Sequence, residues 1–196
     1  MSTKYNLKLS WDTPVEWTQA VLSDFDSFLQ DHADCERKAS SMAMSFIAKC
    51  PDRNEIIPEL IETALEELVH FKLVYEVMEK RGVSLKNDMP QDEYINQLIK
   101  ACRSGREERL MDRMIVASVV EARGAERFRL VAENHPDAEM QKFYDMLWKS
   151  EHKHSDIFLR LAEHYWPFDQ INDRLQVFLE KEGNILSALP FKPALH

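Results

Sequence analysis

The chain has 196 residues, of which 44% are hydrophobic and 30% are charged. This balance fits one globular domain and excludes an intrinsically disordered chain. The net charge of −9 counts against a surface that is basic all over, as general nucleic-acid binding would need. No apolar run approaches the roughly 20 residues that cross a bilayer, and the N-terminus has no apolar secretory core. We therefore expect a cytoplasmic protein without membrane attachment.

The predicted elements are helices, because glycine is rare and the long segments lack β-branched runs. A threonine–proline pair starts a short helix over about 14–21. A long helix follows over about 24–49 and is ended by Pro51. A second long helix covers about 57–80, with Gly82 as its C-terminal stop.

A long connection separates this first pair of helices from the second pair. Residues 82–103 form this connection, with one short helix at about 92–101. Ser104 and Glu107 have the spacing of a capping box, in which each side chain accepts a hydrogen bond from the backbone amide of the other residue. They predict the start of a third long helix that runs to about 134.

The fourth long helix opens at Pro136 and is predicted to run to about 165. A last helix covers about 168–182 and ends at Gly183. Short links within each helix pair and a long link between the pairs are typical of a ferritin-like four-helix bundle with a crossover. We therefore predict one all-α domain over residues 1–196, with a bundle core at about 24–165 and short flanking helices.

Each of the four long helices has an apolar stripe when successive residues are placed about 100° apart. One glutamate lies inside each stripe, and the four are Glu36, Glu67, Glu121 and Glu151. Burial of four bare carboxylates would be very unfavourable, because each group loses its hydration. Two divalent cations would neutralise the four charges. The pattern therefore predicts a site for two metal ions.

Two of these glutamates are followed three residues later by a histidine, His70 after Glu67 and His154 after Glu151. Residues i and i+3 lie on one helix face about one turn apart, so both side chains can reach the same ions. This ligand set is that of the ferritin-like di-iron and di-manganese proteins. Because it is rich in oxygen and has no sulfur, we expect two iron ions, with manganese as the less favoured choice.

The simplest assignment uses Glu67 and Glu151 as ligands that bridge the two ions. Each ion is then completed by one glutamate and one histidine, in the pairs Glu36 with His70 and Glu121 with His154. Four other histidines are interpreted as surface or structural residues: His32, His135, His152 and His164. The metal centre itself would be the catalytic group.

One stretch of the chain is basic despite the acidic total. Residues 100–129 hold eight basic and five acidic side chains. On the third helix, four arginines fall on one flank, roughly 60–120° from Glu121 by helical phase: Arg106, Arg109, Arg113 and Arg127. This flank could follow the phosphates of a nucleic acid. The alternative is an ordinary solvated face, in which neighbouring acidic residues balance the arginines.

Four segments of the sequence resemble a known family: HADCERKASSMAMSF, LEELVHFKLVYEVMEKRG, VVEARGAERFRLVAE and WKSEHKHSDIFLRLAEHY. They look like the bacterial tRNA hydroxylases (MiaE type) that act on methylthio-isopentenyl-adenosine beside the anticodon. The resemblance covers about residues 10–182. Its most specific parts are the runs that begin at Cys35 and at Glu121, and all six predicted ligand positions match.

The resemblance implies a non-haem di-iron monooxygenase. Such an enzyme would insert one oxygen atom of O₂ into the isopentenyl group of the modified adenosine in tRNA. It would take two electrons from a separate reductase, since nothing in this sequence resembles a flavin, nicotinamide or iron–sulfur motif.

Two other functions share this ligand order. One is a quinone hydroxylase, which would need an exposed apolar helix to reach its membrane-bound substrate. The other is a ferritin-like iron-storage protein, which would assemble into a shell. A rubrerythrin-like peroxidase is disfavoured, because the three cysteines are far apart and form no CxxC pair.

Overall fold

A computed structural model describes residues 5–88 and 91–196, with the backbone alone at positions 153 and 154. Within these residues the chain forms eight helices and no strand. The helices are α1 (Val15–Ser23), α2 (Phe25–Lys49), α3 (Ile57–Arg81), α4 (Glu93–Lys100), α5 (Arg106–Asn134), α6 (Ala138–His154), α7 (Ile157–Ala162) and α8 (Phe168–Ala188). Over the described ranges, no helix is long and apolar enough to cross a bilayer.

The chain divides into two compact units. One contains the described residues of Gln19–Pro90 and Lys192–Leu195, and therefore holds α2 and α3. The other contains the described residues of Met1–Thr18 and Gln91–Phe191, together with the C-terminal residue, and holds α4 to α8. The single domain expected from the sequence stays a prediction.

The first unit is built on the antiparallel pair α2 and α3. Asp24 caps α2 by accepting a hydrogen bond from the backbone amide of Ser27 at 3.1 Å. Further along the pair, the Ser40 hydroxyl of α2 donates to the carbonyl of Ala64 on α3 at 2.8 Å. Gly82 ends α3 with φ of +70°, a left-handed conformation that glycine adopts without steric cost. The boundaries of both helices agree with the sequence prediction.

The second unit is organised around α5, which packs against α6, α7 and α8. The N-terminal segment, residues 10–13, also lies against α5 and α8. The Ser10 hydroxyl donates to the carbonyl of Leu179 on α8 at 2.6 Å. Thr13 donates from its amide and from its hydroxyl to the two carboxylate oxygens of Glu126 on α5, at 2.9 and 2.8 Å. These bonds hold the N-terminal segment on the surface of two helices.

The predicted capping box at the start of α5 is wrong. The capping position is Gly105, and no side chain makes a capping hydrogen bond there. Ser104 is exposed and lies one residue outside the helix start. The acidic residues of the first turn still favour this helix end, because their charges oppose the positive end of the helix dipole.

The predicted fourth helix is interrupted at Ser155 and Asp156, which separate α6 from α7. The Ser155 hydroxyl donates to the carbonyl of His152 at 3.1 Å, and the Asp156 carboxylate accepts from Arg160 at 3.2 Å. A serine hydroxyl that bonds a backbone carbonyl three residues earlier competes with the regular helix for that acceptor. The apolar period continues across the break, which is why the sequence indicated one helix.

Gly183 does not end α8, which continues for five more residues to Ala188. A Cβ atom built on Gly183 would lie 2.4 Å from the Ser10 hydroxyl and 3.1 Å from Cβ of Trp11. Glycine is therefore required at this position because the N-terminal segment crosses the helix there. The requirement comes from tertiary packing, and the sequence pattern of a helix stop was misleading.

Replacement of Gly183 by alanine is expected to lower the free energy of unfolding by about 1–3 kcal/mol, the usual cost of forced overpacking. The helical Gly124 provides a matched control, because a Cβ atom added there would meet no other side chain or segment within 4 Å. Gly124→Ala should be neutral or stabilising by up to about 1 kcal/mol through helix propensity. Urea unfolding followed by circular dichroism measures the free energy of unfolding of both variants. Equal stability of the two variants would contradict the close contact.

Candidate metal centre

The first unit brings three of the predicted metal ligands together. Glu36 lies on α2, and Glu67 and His70 lie on one face of α3. All three are buried, with exposed fractions of 4%, 2% and 6%. One ligand atom from each lies within 4.8 Å of those of the other two. The cluster forms because each helix turns its apolar stripe inward and carries a polar side chain within it.

The distances within this cluster suit a shared cation. Nδ1 of His70 is 3.6 Å from Oε2 of Glu67 and 3.9 Å from Oε2 of Glu36. Metal–ligand bonds of about 2.1 Å place two ligands of one ion about 3–4 Å apart. Two buried carboxylates and an imidazole therefore already have the spacing that one ion requires.

The chemistry of the donor set also fits a metal. Two neighbouring carboxylates repel each other in a buried environment and lose their hydration, so their ionised forms need a compensating positive charge. A divalent cation provides that charge and binds the neutral imidazole as well. Oxygen donors with one nitrogen suit iron or manganese better than copper or a sulfur-bound zinc.

A fourth buried side chain, His32, touches this cluster. It lies one turn before Glu36 on α2 and has no exposed surface. Its Nε2 is 2.6 Å from Oε1 of Glu36. Burial lowers the pKa of His32 to about 3, with a smaller contribution from neighbouring His70. The sequence interpretation gave His32 no link to the site, although the spacing of four residues from Glu36 places both on one helix face.

The remaining predicted ligands belong to the second unit. Glu151 lies on α6 and is 2% exposed. Glu121 lies on α5 and is half-buried. The side chain of His154 lies outside the described residues, although the backbone at this position forms the last residue of α6. The assignment of bridging and terminal ligands stays a prediction.

The four arginines of the predicted nucleic-acid face have different environments. Arg106 and Arg109 are exposed on the first turns of α5. Arg113 is half-buried, and burial lowers its pKa. The nearby Asp112 has no exposed surface and accepts hydrogen bonds from two other arginines, Arg103 and Arg174. Asp112 therefore does not balance the charge of Arg106 or Arg109.

Arg127 does not fit the predicted face. It is 2% exposed, and its guanidinium lies 4.8 Å from the ring centre of Trp17, over the aromatic face. Its Nε lies 3.4 Å from the Thr13 hydroxyl, to which it donates. Burial, together with the nearby charge of Arg123, lowers the pKa of Arg127 to about 10. A side chain enclosed in this way has a packing role and does not reach a phosphate.

A buried ionic network around Arg123 was not identified from the sequence. Arg123 has no exposed surface and donates to both oxygens of Glu182 on α8, at 2.7 and 2.9 Å. It also donates to Glu126 at 3.0 Å and to the carbonyl of Trp11 at 2.7 Å. Burial alone would lower the pKa of Arg123, but the bonds to Glu182 hold it above its ordinary value. The network joins α5, α8 and the N-terminal segment.

Comparison with known proteins assigns the chain to a family. Residues 2–196 match the model of the family described as tRNA-(MS2IO6A)-hydroxylase (MiaE). The chain belongs to the MiaE family. One member, from Pseudomonas putida, is named tRNA 2-(methylsulfanyl)-N(6)-isopentenyladenosine(37) hydroxylase. It is 38% identical to this chain over 157 residues, which are 80% of this chain and 76% of the relative.

A second MiaE relative, from Salmonella typhimurium, has the same name and is 32% identical over 178 residues. The match covers 91% of this chain and 63% of that protein, so the chain spans less than two thirds of its length. Both named relatives of this MiaE chain are tRNA hydroxylases. The quinone-hydroxylase and iron-storage alternatives are therefore not favoured.

A solved structure has the same fold as this MiaE chain. It is titled Protein 43 with aldehyde deformylating oxygenase activity, from Synechococcus. The TM-score is 0.90 at 31% identity, over 96% of this chain and 94% of that chain. The fold class predicted from the sequence, an all-α ferritin-like four-helix bundle, is confirmed.

Proposed function

We propose that this chain is a non-haem di-iron monooxygenase that hydroxylates the isopentenyl group of 2-methylthio-isopentenyl-adenosine in tRNA. The observation that carries the proposal is the buried cluster of Glu36, Glu67 and His70 in a chain of the MiaE family. The buried carboxylates and imidazole support metal binding, and membership of the MiaE family supports a tRNA substrate. A tRNA substrate would place the protein in the cytoplasm.

Two iron ions are the proposed cofactors. Glu36, Glu67 and His70 would hold one ion, and the ligands predicted in the second unit would complete the pair. When bound, the iron pair supplies the activation of O₂ that amino-acid side chains cannot perform. The overall balance is one C–H bond converted to C–OH, with the second oxygen atom released as water. Two protons and two electrons are consumed, and the electrons would come from a separate reductase.

The side chains of the first unit have three tasks in this proposal. Glu67 and His70 present their donor atoms from one face of α3, so that the backbone of a single helix fixes their relative positions. The negative charges of Glu36 and Glu67 hold the cations. Buried apolar neighbours on the same two helices, among them Phe28 and Val74, limit access of water to the donor atoms.

The direct test is nucleoside mass spectrometry of tRNA from bacteria that make the methylthio-isopentenyl modification but lack its hydroxylase. Cells that express this protein should gain one oxygen atom on that nucleoside. Cells that express a Glu67→Ala variant at equal level should not. Soluble, iron-containing wild-type protein without this gain would contradict the proposed substrate.

The exposed start of α5 is the proposed contact with tRNA phosphates. Charge reversal of Arg106 and Arg109 to glutamate is expected to weaken tRNA binding and to reduce the slope of log affinity against log salt by about two, one for each lost phosphate contact. Filter binding over a range of salt concentrations measures both effects.

A matched control for this charge reversal lies on the same helix. Arg129 is also exposed, and it is 3.8 Å from Glu133 in an ordinary surface pair. Arg129→Glu reverses one charge of the same kind, half the change of the double variant, outside the proposed contact, and it should leave the slope unchanged. A loss of log affinity in Arg129→Glu that is half or more of the loss in the double variant would show that net charge alone determines binding, and would remove this face from the proposal.

A further inference from the structure

The contact between His32 and Glu36 has a defined direction. The two side chains meet at 2.6 Å, between Nε2 of His32 and Oε1 of Glu36. A carboxylate has only acceptor oxygens, so the imidazole N–H is the donor in this bond. One oxygen of Glu36 is thereby occupied by a protein donor, whereas its second oxygen, Oε2, lies 3.9 Å from Nδ1 of His70.

The imidazole itself is held firmly in place. His32 has no exposed surface, and its ring centre is 6.0 Å from that of Phe28, one turn earlier on α2. The three side chains at positions 28, 32 and 36 lie along one face of the helix, because residues four apart are neighbours. Packing therefore fixes the ring, and the ring fixes one carboxylate oxygen.

We propose that His32 is a positioning residue that holds Oε1 of Glu36, so that Oε2 is the oxygen presented to the metal. This inference rests on the proposed metal site and assigns no direct metal contact to His32. Hydrogen-bonded partners of this kind orient metal ligands, and their loss typically weakens metal binding by about 10–100-fold.

The chain contains a natural control for this role. Thr63 stands four residues before Glu67, just as His32 stands four residues before Glu36. Thr63 is equally enclosed, with 4% exposure, but its hydroxyl donates to the backbone carbonyl of Glu59 at 2.8 Å. Its removal changes a buried polar group near the site without releasing a ligand carboxylate.

The test uses metal-free protein titrated with Co²⁺, whose visible absorption reports affinity and coordination geometry without any catalytic turnover. His32→Phe and His32→Leu should bind Co²⁺ about 10–100-fold more weakly and with an altered spectrum. His32→Gln retains an N–H donor and should recover most of the affinity and the wild-type spectrum. Thr63→Val should match the wild type in both. Thermal unfolding of each metal-free variant shows which ones are folded and can be compared.

The outcomes separate this inference from the proposed metal site. If the wild type binds no Co²⁺, the metal site itself is wrong. If the wild type binds Co²⁺ and a folded His32→Phe or His32→Leu variant has the same affinity and spectrum, the positioning role is wrong. If His32→Gln loses as much affinity as the apolar variants, His32 would act as a ligand, which also overturns the positioning role.

Discussion

Replacement of Glu67 by glutamine is expected to reduce bound iron and to lower tRNA hydroxylation by at least about a hundredfold. This effect is larger than the usual effect of removing a residue that only hydrogen-bonds to a metal ligand. Glutamine has the same shape as glutamate but no charge, so the site loses part of the attraction for the cations. Glu67 is 2% exposed and lies 3.6 Å from Nδ1 of His70. Iron analysis of purified protein and nucleoside mass spectrometry measure the two losses.

The same substitution should have the opposite effect on the metal-free protein. Without a cation, the carboxylates of Glu67 and Glu36 are buried near each other, and removal of one charge relieves an unfavourable interaction. We expect Glu67→Gln to raise the free energy of unfolding of the metal-free form by about 1–3 kcal/mol. In the presence of metal the wild type should be the more stable protein, because the ion binds the folded state.

The adjacent residue Glu66 supplies the control for both measurements. It lies on the same helix, about 100° away from Glu67, and is half-buried. Glu66→Gln should retain iron and should change stability by less than about 0.5 kcal/mol. Unfolding by urea with and without metal compares all three proteins. If Glu67→Gln has the same stability as the wild type under both conditions, the cluster does not hold a cation.

Replacement of Arg123 by methionine is expected to lower the free energy of unfolding by about 3–5 kcal/mol, because it leaves the buried carboxylate of Glu182 without a compensating positive charge. Arg123 and Glu182 both have side chains with no exposed surface, and they meet at 2.7 Å. Arg123 also donates to the carbonyl of Trp11, so the N-terminal segment should loosen as well. Urea unfolding measures the first effect, and amide hydrogen exchange near Trp11 measures the second.

Two further variants separate the charge effect from packing. The double variant Arg123→Met with Glu182→Leu removes both charges, and it should recover at least about half of the lost stability. Arg129→Met breaks only the exposed pair with Glu133 and should cost less than about 1 kcal/mol. A double variant as unstable as the single one would show that packing, and not the unpaired carboxylate, determines the loss.

Local patterns in the sequence were sufficient for most of the fold. The 3.6-residue period of apolar side chains predicted the long helices, and Gly82 and Pro51 predicted two of their ends. The same period placed Glu36, Glu67 and His70 on inward faces, where the structure brings them together. These features depend on residues within a few turns of one another, which is why a single sequence contains them.

Two of the failures have a different cause, which is contact between segments far apart in the chain. Helical phase placed Arg127 on the same flank as Arg109. In the structure Trp17 covers Arg127, whereas Arg109 is exposed. The sequence pattern predicted Gly183 as a helix stop. The structure instead needs a small residue at this position, because Trp11 packs closely against the helix. The bond from His32 to Glu36 could have been inferred from their spacing of four, although spacing alone does not separate it from a chance pair.

The most direct test of O₂-dependent tRNA hydroxylation by this protein is a reaction with ¹⁸O₂. Iron-loaded protein would be reduced chemically and mixed with tRNA that carries the methylthio-isopentenyl modification. The digested nucleosides would then be weighed by mass spectrometry. A di-iron monooxygenase should place one ¹⁸O atom in each hydroxylated nucleoside, and a parallel reaction with Glu67→Gln should place none. Product that contains only ¹⁶O from water, or no product from iron-loaded wild-type protein, would contradict an O₂-dependent di-iron hydroxylase.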